Sequence, residues 1–285
     1  MAGGLPVPVS FEFFPPKTEE GRRKLVAVRE RLAAAHPEFY SVTYGAGGST
    51  RDRTLETVLE IQGEGREVAP HLSIGGDSHD AIRALVDRYR EAGIRRIVAL
   101  RGDVPSGMGG RREVHYAVEL VRLLREHAGD AFHIEVAAYP EVHPDAPSAD
   151  ADVRYFVEKV AAGADSAITQ YFYNAEAYFD FVERARAAGA TVPIVPGVMP
   201  ITNVEGLVRF SENCGADIPR WIGKRLEQYR DDKESVYAFG LDVVTELCER
   251  LLAGGAPGLH IYSMNQSRAP LALLGRLGER ATQFG

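Results

Sequence analysis

Eight short apolar runs recur along this chain of 285 residues, each separated from the next by a longer stretch with a different period. The runs are Val7–Phe13, Phe39–Val42, Val68–Leu72, Ile97–Leu100, Ile134–Ala138, Ala167–Thr169, Val192–Val195 and Leu259–Ile261. Between them the apolar residues recur at helical spacing. Arg22–Ala35 lines up Leu25, Val28 and Leu32; Ala81–Ala92 lines up Ile82, Leu85, Val86 and Tyr89; Val114–His127 lines up Val118, Val121 and Leu124. Gly93, Gly163 and Gly189 each follow an alanine, where a glycine can take the left-handed position past a helix end. Ser49–Asp52 and Asp77–Asp80 read as helix caps with an acid three residues on.

Short strands that are apolar on both faces, alternating with helices, predict a parallel sheet covered on both sides. Eight repeats of that unit predict an α/β fold of the (β/α)8 TIM-barrel type. A doubly wound sheet is disfavoured because no Gly-x-Gly-x-x-Gly follows the first strand. The interval from Val195 to Leu259 is too long for one helix. It is expected to hold extra helices at Glu205–Asn213, Pro219–Tyr229 and Lys233–Leu252 before the last strand. No linker-like tract divides the chain, so residues 1–285 are expected to form a single catalytic barrel domain.

A formal net charge of -7 argues against nucleic acid or an anionic membrane as the main partner. The N-terminus has neither the basic start nor the apolar stretch of a signal peptide, and no run is long enough to span a bilayer. A cytoplasmic protein is expected, with Cys214 and Cys248 as reduced core thiols.

In barrels of this kind the reactive groups sit at the strand C-termini. Reading those positions gives Glu12, Thr43, His71, Asp103, Tyr139, Gln170 and Tyr262, a rim suited to a polar small molecule. Glu12 stands among Phe11, Phe13 and Phe14, with Pro15 and Pro16 ending the strand. Aromatic surroundings predict a raised pKa, as a general acid needs. A glutamate that salt-bridges inside the fold fits this segment equally well. Arg101-Gly102-Asp103 opens a glycine-rich loop in which Asp103 could accept N–H bonds from a flat heterocycle. Tyr139-Pro140-Glu141-Val142-His143-Pro144 is a stiffened connector that aims Tyr139 and His143, or a plain rigid loop. Asp152 and Lys159 fall on one face of the next helix, where Lys159 could meet a phosphate or remain a solvated charge. Gly45–Thr50 lacks the lysine of a P-loop, and no spacing suits a metal or a serine hydrolase.

Six segments in this order, Phe11–Pro16, Ser41–Ala46, Ala69–His71, Leu100–Asp103, Ala137–Pro144 and Ala167–Gln170, resemble the bacterial methylenetetrahydrofolate reductases. The likeness runs from about Val9 to about Asn265. The resemblance implies a barrel that holds FAD non-covalently, with NAD(P)H and 5,10-methylenetetrahydrofolate using the same flavin face in turn. It implies an oxidoreductase that makes 5-methyltetrahydrofolate for methionine biosynthesis, commonly as a homo-oligomer. Glu12 matches the family's proton donor to folate N10, and Asp103 a carboxylate between flavin and pterin. Tyr44, Ala46, His71, Arg101, Gly102, Tyr116, Ala117, Tyr139, His143, Ala146, Asp152 and Lys159 match FAD-contact positions, and Tyr155 lies on the same phosphate-side helix. Thr43, Gln170 and Phe210 match substrate contacts, and Tyr262 and Gln266 fall beside them.

Three departures from the family pattern stand out. Tyr155 and Glu158 occupy positions of an Asn and an Arg near the FAD phosphates. Gln266 replaces an Arg and Gly206 a Gln at the folate tail, where Arg268 offers a substitute cation. Rival readings are a flavin-free pterin-binding barrel methyltransferase or lyase, a non-catalytic folate or flavin store, and a family member that works without flavin. A visible absorption spectrum separates a flavoprotein from the colourless alternatives.

Overall fold

The computed structural model describes the backbone of residues 7–44, 48–73, 78–101 and 116–284. The strands are β1 (Val9–Phe13), β2 (Tyr40–Val42), β3 (Val68–Ser73), β4 (Arg96–Leu100), β5 (His133–Ala138), β6 (Ser166–Thr169), β7 (Ile194–Val195), β8 (Gly197–Val198) and β9 (Leu259–Tyr262). All their pairings are parallel, in the order β7-β6-β5-β4-β3-β2-β1-β9-β8. Strands β7 and β8 are separated by Pro196 alone. The first half pairs with β6 and the second with β9, so the path from 194 to 198 closes the ring. This is a TIM-barrel-like fold, as the alternation predicts. The seventh strand departs from expectation: it starts at Ile194 rather than Val192 and continues beyond the proline, whose missing N–H interrupts the ladder.

Helices surround the ring: α1 (Glu19–Leu32), α2 (Gly48–Gly63), α3 (His79–Glu91), α4 (Ala117–Ala128), α5 (Ala149–Ala161), α6 (Ala175–Ala187), α7 (Val204–Cys214), α8 (Arg220–Gln228), α9 (Lys233–Ala253) and α10 (Arg268–Phe284). The three expected extra helices are α7, α8 and α9, between β8 and β9. Helix α1 begins at Glu19, three residues before the expected Arg22, because Thr18 caps it, accepting a bond from the Gly21 N–H. Ser78 caps α3 in the same way, whereas α2 already starts at Gly48, so Ser49 lies inside its first turn. Gly93, Gly163 and Gly189 have φ of 82°, 114° and 100°, the conformation expected of them.

Two cores result from the alternation of side chains along each strand. Phe11 and Phe13 point outward to the helices and stack on Tyr40, with ring centroids 6.2 and 5.3 Å apart. Inside the ring a smaller plug of Phe39, Ala69, Val98 and Ile168 is backed by Leu100. Beside that plug run polar side chains from β1, β2, β3 and β9. Cys248 is buried, but Cys214 is only partly so, which corrects the expectation of two core thiols; neither forms a disulfide. Among the described residues no helix is long and apolar enough to cross a membrane.

Candidate active site

Strand β1 turns Ser10 and Glu12 into the ring while Phe11 and Phe13 face away. Parallel pairing sets Ser10 opposite His260 and Glu12 opposite Tyr262 on β9, and Glu12 opposite Ser41 on β2. The result is a compact polar cluster under the C-terminal rim. Glu12 Oε2 lies 3.2 Å from His71 Nε2, and 3.5 Å from both His260 Nε2 and Ser41 Oγ. His260 Nε2 is also 3.5 Å from Ser41 Oγ, while its Nδ1 meets Ser10 Oγ at 2.7 Å. His260 is fully buried and His71 nearly so.

This geometry overturns the expectation of a raised Glu12 pKa in the ligand-free protein. Burial pushes the carboxyl up, but the facing His71 and His260 rings outweigh it and hold the value at about 2. Phe11 and Phe13, which suggested an apolar pocket, lie on the opposite face of the strand. Of the three phenylalanines only Phe14 stays on the site side, where its half-exposed ring stacks on Phe210 from α7, with centroids 6.5 Å apart and planes within 15°.

Tyr262 leans across the ring and donates its hydroxyl to Thr169 O at 2.8 Å. Burial, with Glu12 close by, raises its pKa far above that of an ordinary phenol, so it stays neutral. Gly197 leaves the room Tyr262 needs: a Cβ there would lie 2.6 Å from the Tyr262 ring and 2.1 Å from Thr169 O. Gln170 follows β6, with its side-chain oxygen accepting from Tyr171 N at 3.0 Å. Thr43 and Tyr44 follow β2, and Thr43 O accepts from Thr54 Oγ1 at 2.9 Å. Gln266 is exposed just beyond β9.

A second group gathers at the ends of β4 and β5. The Tyr139 and His143 rings meet edge to face at 4.5 Å. Val142 between them has φ 70°, rare for a β-branched residue, and its N–H donates to Tyr139 O at 3.2 Å. Buried Asp152, on α5, accepts from His143 N at 2.9 Å, and Arg101 pairs with Asp145. Burial lowers the His143 pKa, and the Arg101 charge adds to the effect. Lys159 donates to Ala137 O; burial pulls its amine down to about 8, with Asp152 opposing. An anion entering here would hold the proton on the amine to higher pH, so this group fits a phosphate-bearing cofactor. Tyr155 and Glu158 are exposed on α5, Ala146 is half-buried, Tyr116 is exposed at the start of α4, and Ala117 follows it. Ala46, Gly102 and Asp103 lie outside the described residues.

Three side chains that sequence reasoning overlooked belong to the Glu12 cluster: Ser10, Ser41 and His260. The available signal was parity, since Ser10 with Glu12 and His260 with Tyr262 each share a strand face. Asn265 was also overlooked; it binds both backbone groups of Phe14 at 2.9 Å.

Comparison with known proteins shows the family to which the chain belongs. The family model described as methylenetetrahydrofolate reductase matches residues 6–278. The chain is 41% identical over 273 residues to the 5,10-methylenetetrahydrofolate reductase of Escherichia coli (strain K12), covering 95% of this chain and 91% of that protein. It is 39% identical to methylenetetrahydrofolate reductase (NADH) 1 of Arabidopsis thaliana, covering 94% of this chain and 48% of the plant protein. Among solved structures, a Clostridium thermocellum protein that binds two copies of 5-methyl-5,6,7,8-tetrahydrofolic acid superposes with a TM-score of 0.70 at 19% identity, covering 98% of this chain and 96% of that one, which speaks to the fold alone. With the family model and a relative of this identity both spanning nearly its whole length, the chain belongs to the methylenetetrahydrofolate reductase family.

Proposed function

We propose that the chain is an FAD-dependent reductase that converts 5,10-methylenetetrahydrofolate to 5-methyltetrahydrofolate at the expense of NAD(P)H, as one barrel unit spanning residues 1–285. The observation that carries this reading is the Glu12 carboxylate under the C-terminal rim, faced by two histidines, in a chain of this family. A bound FAD would supply the hydride relay between the reduced nicotinamide and the folate. Arg101, His143 and Lys159 would hold its phosphate side, with Tyr44, His71 and Tyr139 toward the ring.

Everything else falls to the protein's own side chains. Glu12 supplies a proton to N10 of the folate, which opens the five-membered ring and leaves a reactive iminium carbon at N5. That carbon accepts the hydride and becomes the methyl group. Phe14 and Phe210 form an aromatic wall against which flat rings stack. Thr43 and Gln170 offer hydrogen bonds to nicotinamide or pterin, and Asp103 would disfavour adding electrons to a neighbouring flavin. Gln266, with Arg268 two residues on, takes the tail of the folate. The product feeds methionine biosynthesis in the cytoplasm, and the enzyme works as a homo-oligomer.

The test is a visible spectrum of the purified protein, followed by anaerobic NADH or NADPH and then 5,10-methylenetetrahydrofolate. Flavin bands that bleach with the nicotinamide and return with the folate are expected. A protein that neither carries nor takes up FAD, or whose bleached bands do not return, overturns the proposal.

A further inference from the structure

A proton donor must hold a proton when the substrate arrives, yet the surrounding histidines keep Glu12 ionised in the ligand-free protein. The interior of such a barrel is ordinarily filled by apolar side chains. Here a fully buried imidazole stands directly beneath the acid. His260 is packed between the Phe39 ring, 6.0 Å away, and the Tyr262 ring, 5.4 Å away. Its Nδ1 is engaged by Ser10 at 2.7 Å, and its Nε2 faces the Glu12 carboxylate and the Ser41 hydroxyl. The groups facing Glu12 are therefore Ser41 from β2, His71 from β3, and His260 and Tyr262 from β9. Fixing one nitrogen of an imidazole determines what the other can do.

We propose that His260, with its Nδ1–H held by Ser10, is a positioning residue that stores the proton Glu12 delivers, and that Nε2 passes this proton to the carboxylate once substrate covers the rim. In the first transfer the Nε2–H bond breaks and a Glu12 O–H bond forms, leaving a neutral ring and a neutral acid. In the second, the O–H bond breaks as the folate N10–H bond forms, and Glu12 is again a carboxylate. When product leaves, one solvent proton enters at the open rim through Glu12 and returns to Nε2. The first transfer is driven by closure. A buried ion pair is costly to desolvate, and a flat ligand over the rim removes the remaining water, which favours the neutral pair. A separation of 3.5 Å before substrate binds is the loose contact expected of a catalytic hydrogen bond that tightens later.

The inference rests on the proposed folate reduction, and the experiment separates the two. The first measurement uses ligand-free protein with ¹⁵N-labelled imidazoles. Both ring nitrogens of His260 should carry protons in the wild type, and Nδ1 alone in Glu12→Gln. The second is rapid mixing of the holoenzyme. In His260→Gln the folate half-reaction should slow by about tenfold or more, and its loss of rate with rising pH should begin at lower pH. Bleaching by NADH, which needs no acid, is the internal control. Ser10→Ala should give a smaller effect in the same direction, with Ser10→Thr restoring the rate, so the idea stays testable if His260→Gln does not fold. A neutral His260 with its proton on Nε2, or a variant with the wild-type rate and pH profile, overturns the proton store alone. A wild type that bleaches but never reduces folate overturns the underlying function as well.

Discussion

Asn265 holds Phe14 by both of its backbone groups: the side-chain oxygen accepts from Phe14 N and the side-chain nitrogen donates to Phe14 O, each at 2.9 Å. To do so Asn265 takes φ 54°, a left-handed conformation that asparagine tolerates better than most residues. This clamp joins the end of β1 to the turn after β9 and fixes the ring that stacks on Phe210. Asn265→Ala should raise the KM for folate about fivefold and cost about 1–2 kcal/mol of stability, from two lost bonds and a strained alanine. Steady-state kinetics and urea unfolding of the holoenzyme would show both; an unchanged KM would mean that the aromatic wall does not meet the folate.

Glu12→Gln keeps the shape of the acid and removes its proton. Anaerobic NADH should still bleach the flavin at close to the wild-type rate, while folate reduction falls by at least about 10²-fold. Stopped-flow measurement of the two half-reactions distinguishes this from a general loss of the fold.

Lys159 gives a pH dependence whose sign can be worked out. Its amine is charged below about 8 and loses that charge above it. Attraction for a phosphate is therefore fully present at pH 7 and fades as pH rises, beginning above about 8 because the bound anion itself holds the proton on. FAD affinity, followed by flavin fluorescence, should weaken about tenfold between neutral pH and pH 10, the scale of one charged hydrogen bond. Lys159→Met should bind more weakly throughout and lose most of that slope.

Gly197→Ala would force a methyl group against Thr169 O and the Tyr262 ring. About 3 kcal/mol of destabilisation is expected from such overpacking, together with displacement of the tyrosine beside Glu12. Chemical denaturation gives the first effect. A variant as stable as the wild type would mean that the ring relaxes there without strain.

The strands were legible because each is buried on both faces and bounded by turn residues, as in Ile134–Ala138, which differs from β5 by one residue. The break at Pro196 was not, since a proline reads as the end of a strand unless both neighbours of the ring are known. Glu12 was legible as a rim residue, but its electrostatics were not. Its sequence neighbours Phe11 and Phe13 point the other way, and the groups that set its charge arrive from β3 and β9. His260, inside Leu259-His260-Ile261, carries no local sign of function. Only closure of the barrel brings it to Ser10, 250 positions away.

The split at Pro196 has a mechanical meaning. Where an unbroken ladder would weld β6 to β9, Gly197 N is instead latched by the Thr169 hydroxyl at 2.9 Å, and the three added helices leave the ring immediately afterwards. The hoop thus carries an expansion joint at the very point where the chain departs into α7, α8 and α9. Segments beyond it can lengthen or shift in the course of evolution without dragging β9 along β1, the one alignment on which the meeting of Glu12 and His260 depends.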